Sequence, residues 1–192
     1  MGTLFVDKLD PQSGTSLEIG SSGDTISVPS GATINLSNAT QTGVGGVNTP
    51  AFEAYSAATQ NLVSATTTKV IFATEAFDTD NAYDNSTNYR FTPLVAGKYF
   101  VYTSLSMQST DYTMYNSILR IRKNGSDYKV SPIITSNDAL YAAPVTISAI
   151  IDMNGSSDYV EIFAYMELHS GSVRRLQPEV KGTYFGAYKI IE

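Results

Sequence analysis

The residue types that carry most enzyme chemistry are scarce in this 192-residue chain. It has no cysteine and one histidine, His169. That composition removes thiolate nucleophiles, zinc–thiolate sites and disulfides, and leaves a single side chain that titrates near neutral pH. A catalytic triad needs such a base beside a nucleophile and an orienting acid. Glu167 is close in sequence, but no serine stands in a nucleophile motif, so His169 reads as a surface, packing or ligand-contact residue. The best metal candidate is Asp78-Thr79-Asp80-Asn81-Ala82-Tyr83-Asp84. Alternating carboxylates can converge on calcium, a hard ion that takes about 6–8 oxygens. The stretch lacks the glycine and closing glutamate of an EF-hand loop, and a solvated acidic loop is the competing reading. Calcium at Asp78, Asp80 and Asp84 is therefore the one cofactor on offer. Glycoside hydrolysis needs two carboxylates held across a groove, and the chain has little length to build one. The reading is non-enzymatic, with polysaccharide depolymerisation as the minor alternative.

Recognition chemistry is better supplied. Tyr112, Tyr115, Tyr141, Arg174 and Arg175 are residue types that dominate binding hot spots and stack on sugars, and His169 falls among them. The bland alternative for the tyrosines is packing between subunits.

The elements that position these residues are strands. The chain is 42% hydrophobic and 16% charged, with 13 Tyr, 8 Phe and no Trp. It can bury a core, and its Tyr, Thr, Ile and Val suit a pleated, half-buried surface. No window shows a helical stripe, so the class is all-β. Strands are expected over residues 51–55, 69–72, 89–93, 97–108, 117–123, 128–134, 144–153, 159–168 and 183–191. Asn124-Gly125 and Asn154-Gly155 read as hairpin turns. Sequential antiparallel strands put successive connections at opposite ends. Both Asn-Gly turns and the C-terminus therefore share one end. The segments 109–116, 136–143 and 169–182, which carry the tyrosines, histidine and arginines above, share the other. Short turns at one end and long loops at the other suit a scaffold that presents a recognition surface.

The net charge of −6 argues against nucleic acid and anionic membranes, since a nucleic-acid binder needs a basic stripe. In Arg120-Ile121-Arg122-Lys123, alternation places both arginines on the solvated side of a strand. No run approaches the roughly 18 apolar residues of a membrane helix. The first residues lack the apolar stretch of a signal peptide, so synthesis in a cytoplasm, or a microbial or viral equivalent, is expected.

The first part repeats. Gly14-Thr-Ser-Leu17-Glu-Ile19, Gly23-Asp-Thr-Ile26-Ser-Val28 and Gly31-Ala-Thr-Ile34-Asn-Leu36 each read Gly-x-x-apolar-x-apolar. Each unit is expected to be a very short strand with its apolar pair on one face. One ribbon cannot bury that face, whereas three chains around an axis can. Leu17, Ile19, Ile26, Val28, Ile34 and Leu36 are thus the expected core of a three-chain stalk. A flexible Gly/Ser linker, the alternative, has no use for regular apolar pairs.

Beyond the glycine-rich boundary the residues carry a resemblance. Ala51-Phe52 opens a stretch that continues through Val70-Ile71-Phe72 and Ala82-Tyr83-Asp84 to Tyr89-Arg90-Phe91-Thr92-Pro93, Gly97 and Tyr99-Phe100. Leu119 through Lys123-Asn124-Gly125 follows, and Thr183-Tyr184-Phe185-Gly186-Ala187-Tyr188 closes it. This resembles the globular heads of the C1q/TNF-like family over about residues 51–191. The resemblance implies a ten-stranded jelly roll that forms a homotrimer through aromatic-rich faces, with both termini near the base. The chain differs from animal members in having no cysteine and no collagen stalk, which argues against complement- or cytokine-type signalling. Leu4-Phe5-Val6-Asp7-Lys8-Leu9 and Gly23-Asp24-Thr25 through Pro29-Ser30-Gly31-Ala32-Thr33 resemble the openings of tail-fibre and related virion proteins of tailed, particularly marine, bacteriophages.

The combined expectation divides the chain into a virion anchor (1–12), a β-repeat stalk (13–43), a glycine-rich linker (44–50) and a jelly-roll head (51–192). The expected partners are two further copies, other virion proteins through the N-terminus, and a host-surface glycan or protein. A capsid-decorating head fibre or cement protein is the alternative to a tail fibre.

Overall fold

The computed structural model describes residue 9 and residues 15–17, 19–35, 48–110, 113–135, 140–171, 173–178 and 182–191. Tyr112, Leu36 and residues 1–12 other than Leu9 lie outside the described residues. The chain divides into two compact units, residues 1–44 and 45–192.

In the first unit a β-turn recurs. Asp24 N donates to Ser21 O at 3.0 Å, and one repeat later Ala32 N donates to Pro29 O at 3.1 Å. Gly23 and Gly31 hold the third position of these turns with φ of +94° and +85°, the left-handed region a type II turn requires there. None of the described residues between 15 and 35 joins a β-ladder, and Leu17, Ile19, Ile26, Val28 and Ile34 are 44–62% exposed within the chain. Among the described residues this segment has no partner strand, so ladder pairing gives its apolar side chains no burial.

The described part of the second unit holds thirteen strands. β1 (Ala51–Tyr55), β2 (Gln60–Asn61), β3 (Thr68–Lys69), β4 (Thr74–Asp78), β5 (Tyr83–Asp84) and β6 (Arg90–Phe91) are short. β7 (Ala96–Ser109), β8 (Met114–Lys123), β9 (Ser126–Ile134), β10 (Ala142–Asn154) and β11 (Val160–Leu168) are long. β12 (Arg174–Gln177) and β13 (Tyr184–Lys189) follow. There is no helix among the described residues, and every pairing is antiparallel.

Two sheets form a sandwich. In the first, β10 runs along the whole of β7, from Ala142 opposite Gln108 to Asn154 opposite Ala96. The other side of β7 is shared by β13 and β12; β1 and then β4 extend from β13, and β2 extends from β12. The second sheet runs β5-β6-β11-β8-β9, with β3 also on β11. Period-two alternation turns one face of each strand inward. Val145, Ile147, Ala149, Ile151 and Met153 of β10 are buried, and Leu119 and Ile121 of β8 face them from the other layer. Aromatic rings fill the end of the core nearest β1. Phe52 stacks on Tyr83 and on Phe91, each at 4.6 Å, and meets the Phe185 ring edge-on at 4.9 Å. The buried Tyr83 hydroxyl is satisfied by Phe72 O at 3.1 Å.

Two expectations need correction. Asn124-Gly125 closes the β8–β9 hairpin, with Lys123 opposite Ser126, but Asn154-Gly155 is no hairpin: β10 belongs to the first sheet and β11 to the second. The Asn154 side-chain oxygen accepts from Ser156 N, Ser157 N and Asp158 N and so builds a turn that crosses between layers. Gly155 fits because a Cβ there would lie 2.3 Å from Ala96 N. Second, the expected loop 169–182 contains β12, which pairs with β7 from Arg174 opposite Ser109 to Gln177 opposite Ser106.

The free edges of β9 and β10 share one flank, and side chains close part of it. Tyr128 Oη donates to Ile150 O at 2.9 Å, Lys129 Nζ to Ser148 O at 2.8 Å and Lys123 Nζ to Asp152 O at 2.6 Å. Unpaired carbonyls on a long edge are a template for adding a foreign strand, and these three are occupied. A β-bulge at Tyr128, where Ile121 faces Lys129 but Arg122 faces Asp127, gives the phenol its reach.

Candidate recognition surface

The strand alternation does separate two ends. At one, the two Asn-Gly turns are joined to each other. Asn124 Nδ2 donates to Asp158 Oδ1 at 2.8 Å, and Asn124 Oδ1 accepts from Tyr159 N at 2.9 Å. Asp158 also accepts from Asn154 N at 3.0 Å and from Lys123 Nζ at 2.8 Å. Its carboxyl is held below the usual carboxylate range, first by Lys123 and then by Asn124. Lys189 N donates to Pro50 O and Ile190 N to Lys98 O, so both ends of the head's chain leave from here.

The opposite end gathers three segments. Ser109 N donates to Tyr141 O at 2.8 Å, Met114 and Leu140 exchange backbone bonds, Thr135 N donates to Tyr115 O at 2.8 Å and His169 N donates to Thr113 O at 2.8 Å. Of the residues singled out by type, Tyr115 and His169 come together: their rings stack at 4.2 Å and 21°. Glu167 lies beside them and accepts from Asn116 Nδ2 at 2.9 Å. The Tyr165 hydroxyl, then Asn116, then the Tyr115 hydroxyl hold the Glu167 carboxyl below its ordinary range. Tyr141 is exposed at the same end. Arg174 and Arg175 instead lie in β12, and Arg175 Nε donates to Gln108 at 2.8 Å, so these guanidinium groups sit on a sheet and not on a loop tip.

The acidic stretch is at the other end of the sandwich, where Thr79 N donates to Ala51 O. Asp78 accepts from Asp80 N at 3.2 Å and from Tyr83 N at 2.8 Å. Asp84 accepts from the amides of Ser86, Thr87 and Asn88 and from Asn88 Nδ2. Its carboxyl is held well below the usual range, chiefly by the Thr87 and Ser86 amides. Among the described residues no three His, Cys, Asp or Glu side chains are grouped to hold a metal ion.

The outer face of the first sheet carries aromatic residues that were not singled out by type. Phe100 lies 6.0 Å from Tyr102 and 5.5 Å from Tyr188, and Tyr102 lies 6.1 Å from Tyr184. Tyr102 lies across Gly186, where a Cβ would stand 2.4 Å from its ring, and donates to Glu53 at 3.1 Å. The signal was present as aromatics two and four positions apart in Phe100-Val101-Tyr102 and Tyr184 through Tyr188. Alternation places each set outside the buried Val101, Phe185 and Ala187. On the second sheet Arg120 and Arg122 face outward as expected and pair with Asp127, and Arg122 stacks over Phe163 at 4.3 Å.

This architecture is a C1q/TNF-like jelly roll, a fold of paired antiparallel sheets with the chain's ends at one pole. Among solved structures it is similar to the globular domain of zebrafish complement 1qA protein, at 18% identity and a TM-score of 0.50, covering 74% of this chain and 98% of that one. It is also similar to murine APRIL at pH 5.0 and pH 8.5, at 10% identity and a TM-score of 0.51 in each, covering 73% of this chain and 98% of the other. At such identities the likeness is one of fold. No family model and no curated protein sequence matches the chain.

Proposed function

We propose that this protein is a non-enzymatic, homotrimeric fibre protein of a tailed-bacteriophage virion that attaches to a host-surface glycan or protein through its head. The observation that carries this reading is the polarity of the sandwich. One end holds short turns tied to each other and to both ends of the head's chain. The other exposes aromatic side chains on gathered segments. A fibre tip needs that division, with attachment at the base and contact at the far pole. Trimer formation is supported by the aromatic face of Phe100, Tyr102, Tyr184 and Tyr188, and by the exposed Tyr128, Val130 and Ile150 near the β9/β10 flank. Ile150 stands opposite Phe100 on the same outer face, so the apolar surface runs from β13 across β7 and β10 to that flank, and an exposed apolar patch of this kind asks for a partner surface. The exposed apolar pairs of the first unit ask for the same partners. Three heads on one stalk would multiply weak single-site affinity. The virion assignment is supported by the sequence resemblance of residues 4–9 and 23–33.

The test is the native mass in solution by light scattering, with and without residues 1–46, followed by adsorption competition. A full-chain mass near three times 20.7 kDa, with the truncated head still three times its own chain mass, supports the trimer, and a stable monomer overturns it. Free protein that blocks adsorption supports a tail fibre. Many copies on the shell with no competition would assign the capsid-decorating role instead. Release of reducing sugar from host polysaccharide would refute the non-enzymatic reading.

A further inference from the structure

A β-bulge interrupts the β8–β11 ladder at the exposed pole. Glu167 faces Asn116 and the next residue, Leu168, faces Met114, so Tyr115 is the extra residue on β8. Alternation alone would send Tyr115 and Asn116 to opposite faces of the sheet. The bulge re-aims Tyr115, and its hydroxyl and the Asn116 amide both reach the Glu167 carboxylate. His169 is fixed from the other side by its backbone bond to Thr113 O and covers one face of the Tyr115 ring. The exposed Ile134 of β9 stands opposite Asn116 and flanks the group. The result is an exposed His169 ring stacked on a half-buried Tyr115 ring, with a carboxylate at the rim of the pair.

We infer that Tyr115, His169 and Glu167 form a stacking site for a neutral pyranose ring. This rests on the fibre reading and names the ligand class of its contact surface. A pyranose has an apolar C–H face that lies flat on an aromatic plate and an equatorial rim of hydroxyl donors. An ionised carboxylate offers about four lone-pair sites. Among the described residues Tyr115, Tyr165 and Asn116 use three, which leaves one acceptor position for a sugar hydroxyl. Holding the ring pair in place beforehand removes rotamer entropy from the binding cost. The charge at the site selects against acidic sugars. Glu167 is an anion, and Arg120, the guanidinium that acts on its partner Tyr165, is paired with Asp127.

His169 is the only histidine, so its ring protons give one unambiguous pair of nuclear magnetic resonance signals. The full chain is titrated with methyl glucoside, methyl galactoside, methyl mannoside and N-acetylglucosamine, and with glucuronate as the acidic probe. At least one neutral sugar should shift the His169 signals saturably, with a dissociation constant on the order of millimolar. Tyr115→Ala should weaken that sugar roughly tenfold or more, and Tyr115→Phe, which keeps the plate and frees one Glu167 position, should weaken it much less. Glucuronate should bind more weakly than the best neutral sugar. The inference is overturned if no neutral sugar shifts His169, if the shift survives Tyr115→Ala, or if glucuronate binds best. Adsorption of the full chain to host cells is measured in parallel. Adsorption without any sugar response removes this site while leaving the fibre reading intact. The Tyr115→Phe protein serves as the folded comparison should Tyr115→Ala fail to fold.

Discussion

Asn124 and Asp158, one from each Asn-Gly turn, meet at the base of the sandwich with Asn124 Nδ2 donating to Asp158 Oδ1 at 2.8 Å. This bond prolongs the β8–β11 ladder of the second sheet, and the other Asp158 oxygen accepts from Asn154 N at the end of β10 in the first, so one carboxylate ties the two layers together where the strands end. Asp158 is buried and also holds Asn154 N and Lys123 Nζ.

Replacing Asp158 with Ala removes a buried acceptor shared by Asn124 Nδ2, Asn154 N and Lys123 Nζ, of which Lys123 keeps Asp152 O, and a loss of about 1–3 kcal/mol is expected from the denaturant midpoint. Asp158 has its folded-state pKa below its unfolded value. Its contribution is therefore fully present above the unfolded carboxylate range near about 4, and fades as pH falls through the folded value. The difference between wild type and Asp158→Ala should shrink on acidification. A constant difference down to pH about 2 would show that the charge plays no part.

Gly186→Ala should push the Tyr102 ring off β13 and break its bond to Glu53, at an expected cost of about 1–3 kcal/mol. Since the displaced ring lies on the aromatic face, self-association should weaken as well. In the Tyr102→Ala background the same glycine change should cost much less, because the colliding atoms are gone. Additive losses in the double variant, read from melting curves, would count against this contact.

Lys129→Ala combined with Tyr128→Phe uncovers the carbonyls of Ser148 and Ile150. Secondary structure and core packing should be little changed, because both side chains lie outside the sandwich. The exposed edge should accept foreign strands, so aggregation followed by scattered light should be several-fold faster than in wild type. Equal rates would mean that these side chains do not protect the edge.

Asp84 is surrounded by amide donors, and a cation there would have to displace them. Millimolar calcium is expected to leave the melting temperature unchanged, and a rise of several degrees would support the metal reading of Asp78, Asp80 and Asp84. Asp84→Ala should cost about 0.5–2 kcal/mol, the range for losing a side-chain cap on backbone amides. Asp84 too has a lowered folded-state pKa, so this cost should be full at neutral pH and fade below about 4.

Some of this was legible in order and type. Alternation gives Ala51–Tyr55 its bounds, and places β7 and β10 within a residue or two of where they run. β4 was missed because Thr74-Glu75-Ala76-Phe77-Asp78 is an edge strand with little burial on either side, so it lacks the contrast that marks a strand. β12 was missed because Arg174 and Arg175 read as loop residues, and only their pairing with β7 makes them sheet.

What the sequence by itself determined was the all-β class, the face each side chain of a long strand takes, and which connections share an end. Those follow from a period of two and from counting reversals, both local properties. The tertiary structure alone decided which strands are neighbours, that Asn154-Gly155 crosses between layers, that Arg175 binds Gln108, and that a bulge brings Tyr115 to His169 and Glu167. Each depends on residues far apart in the chain, whose registers are set by packing of the whole sandwich and leave no periodic trace in either segment.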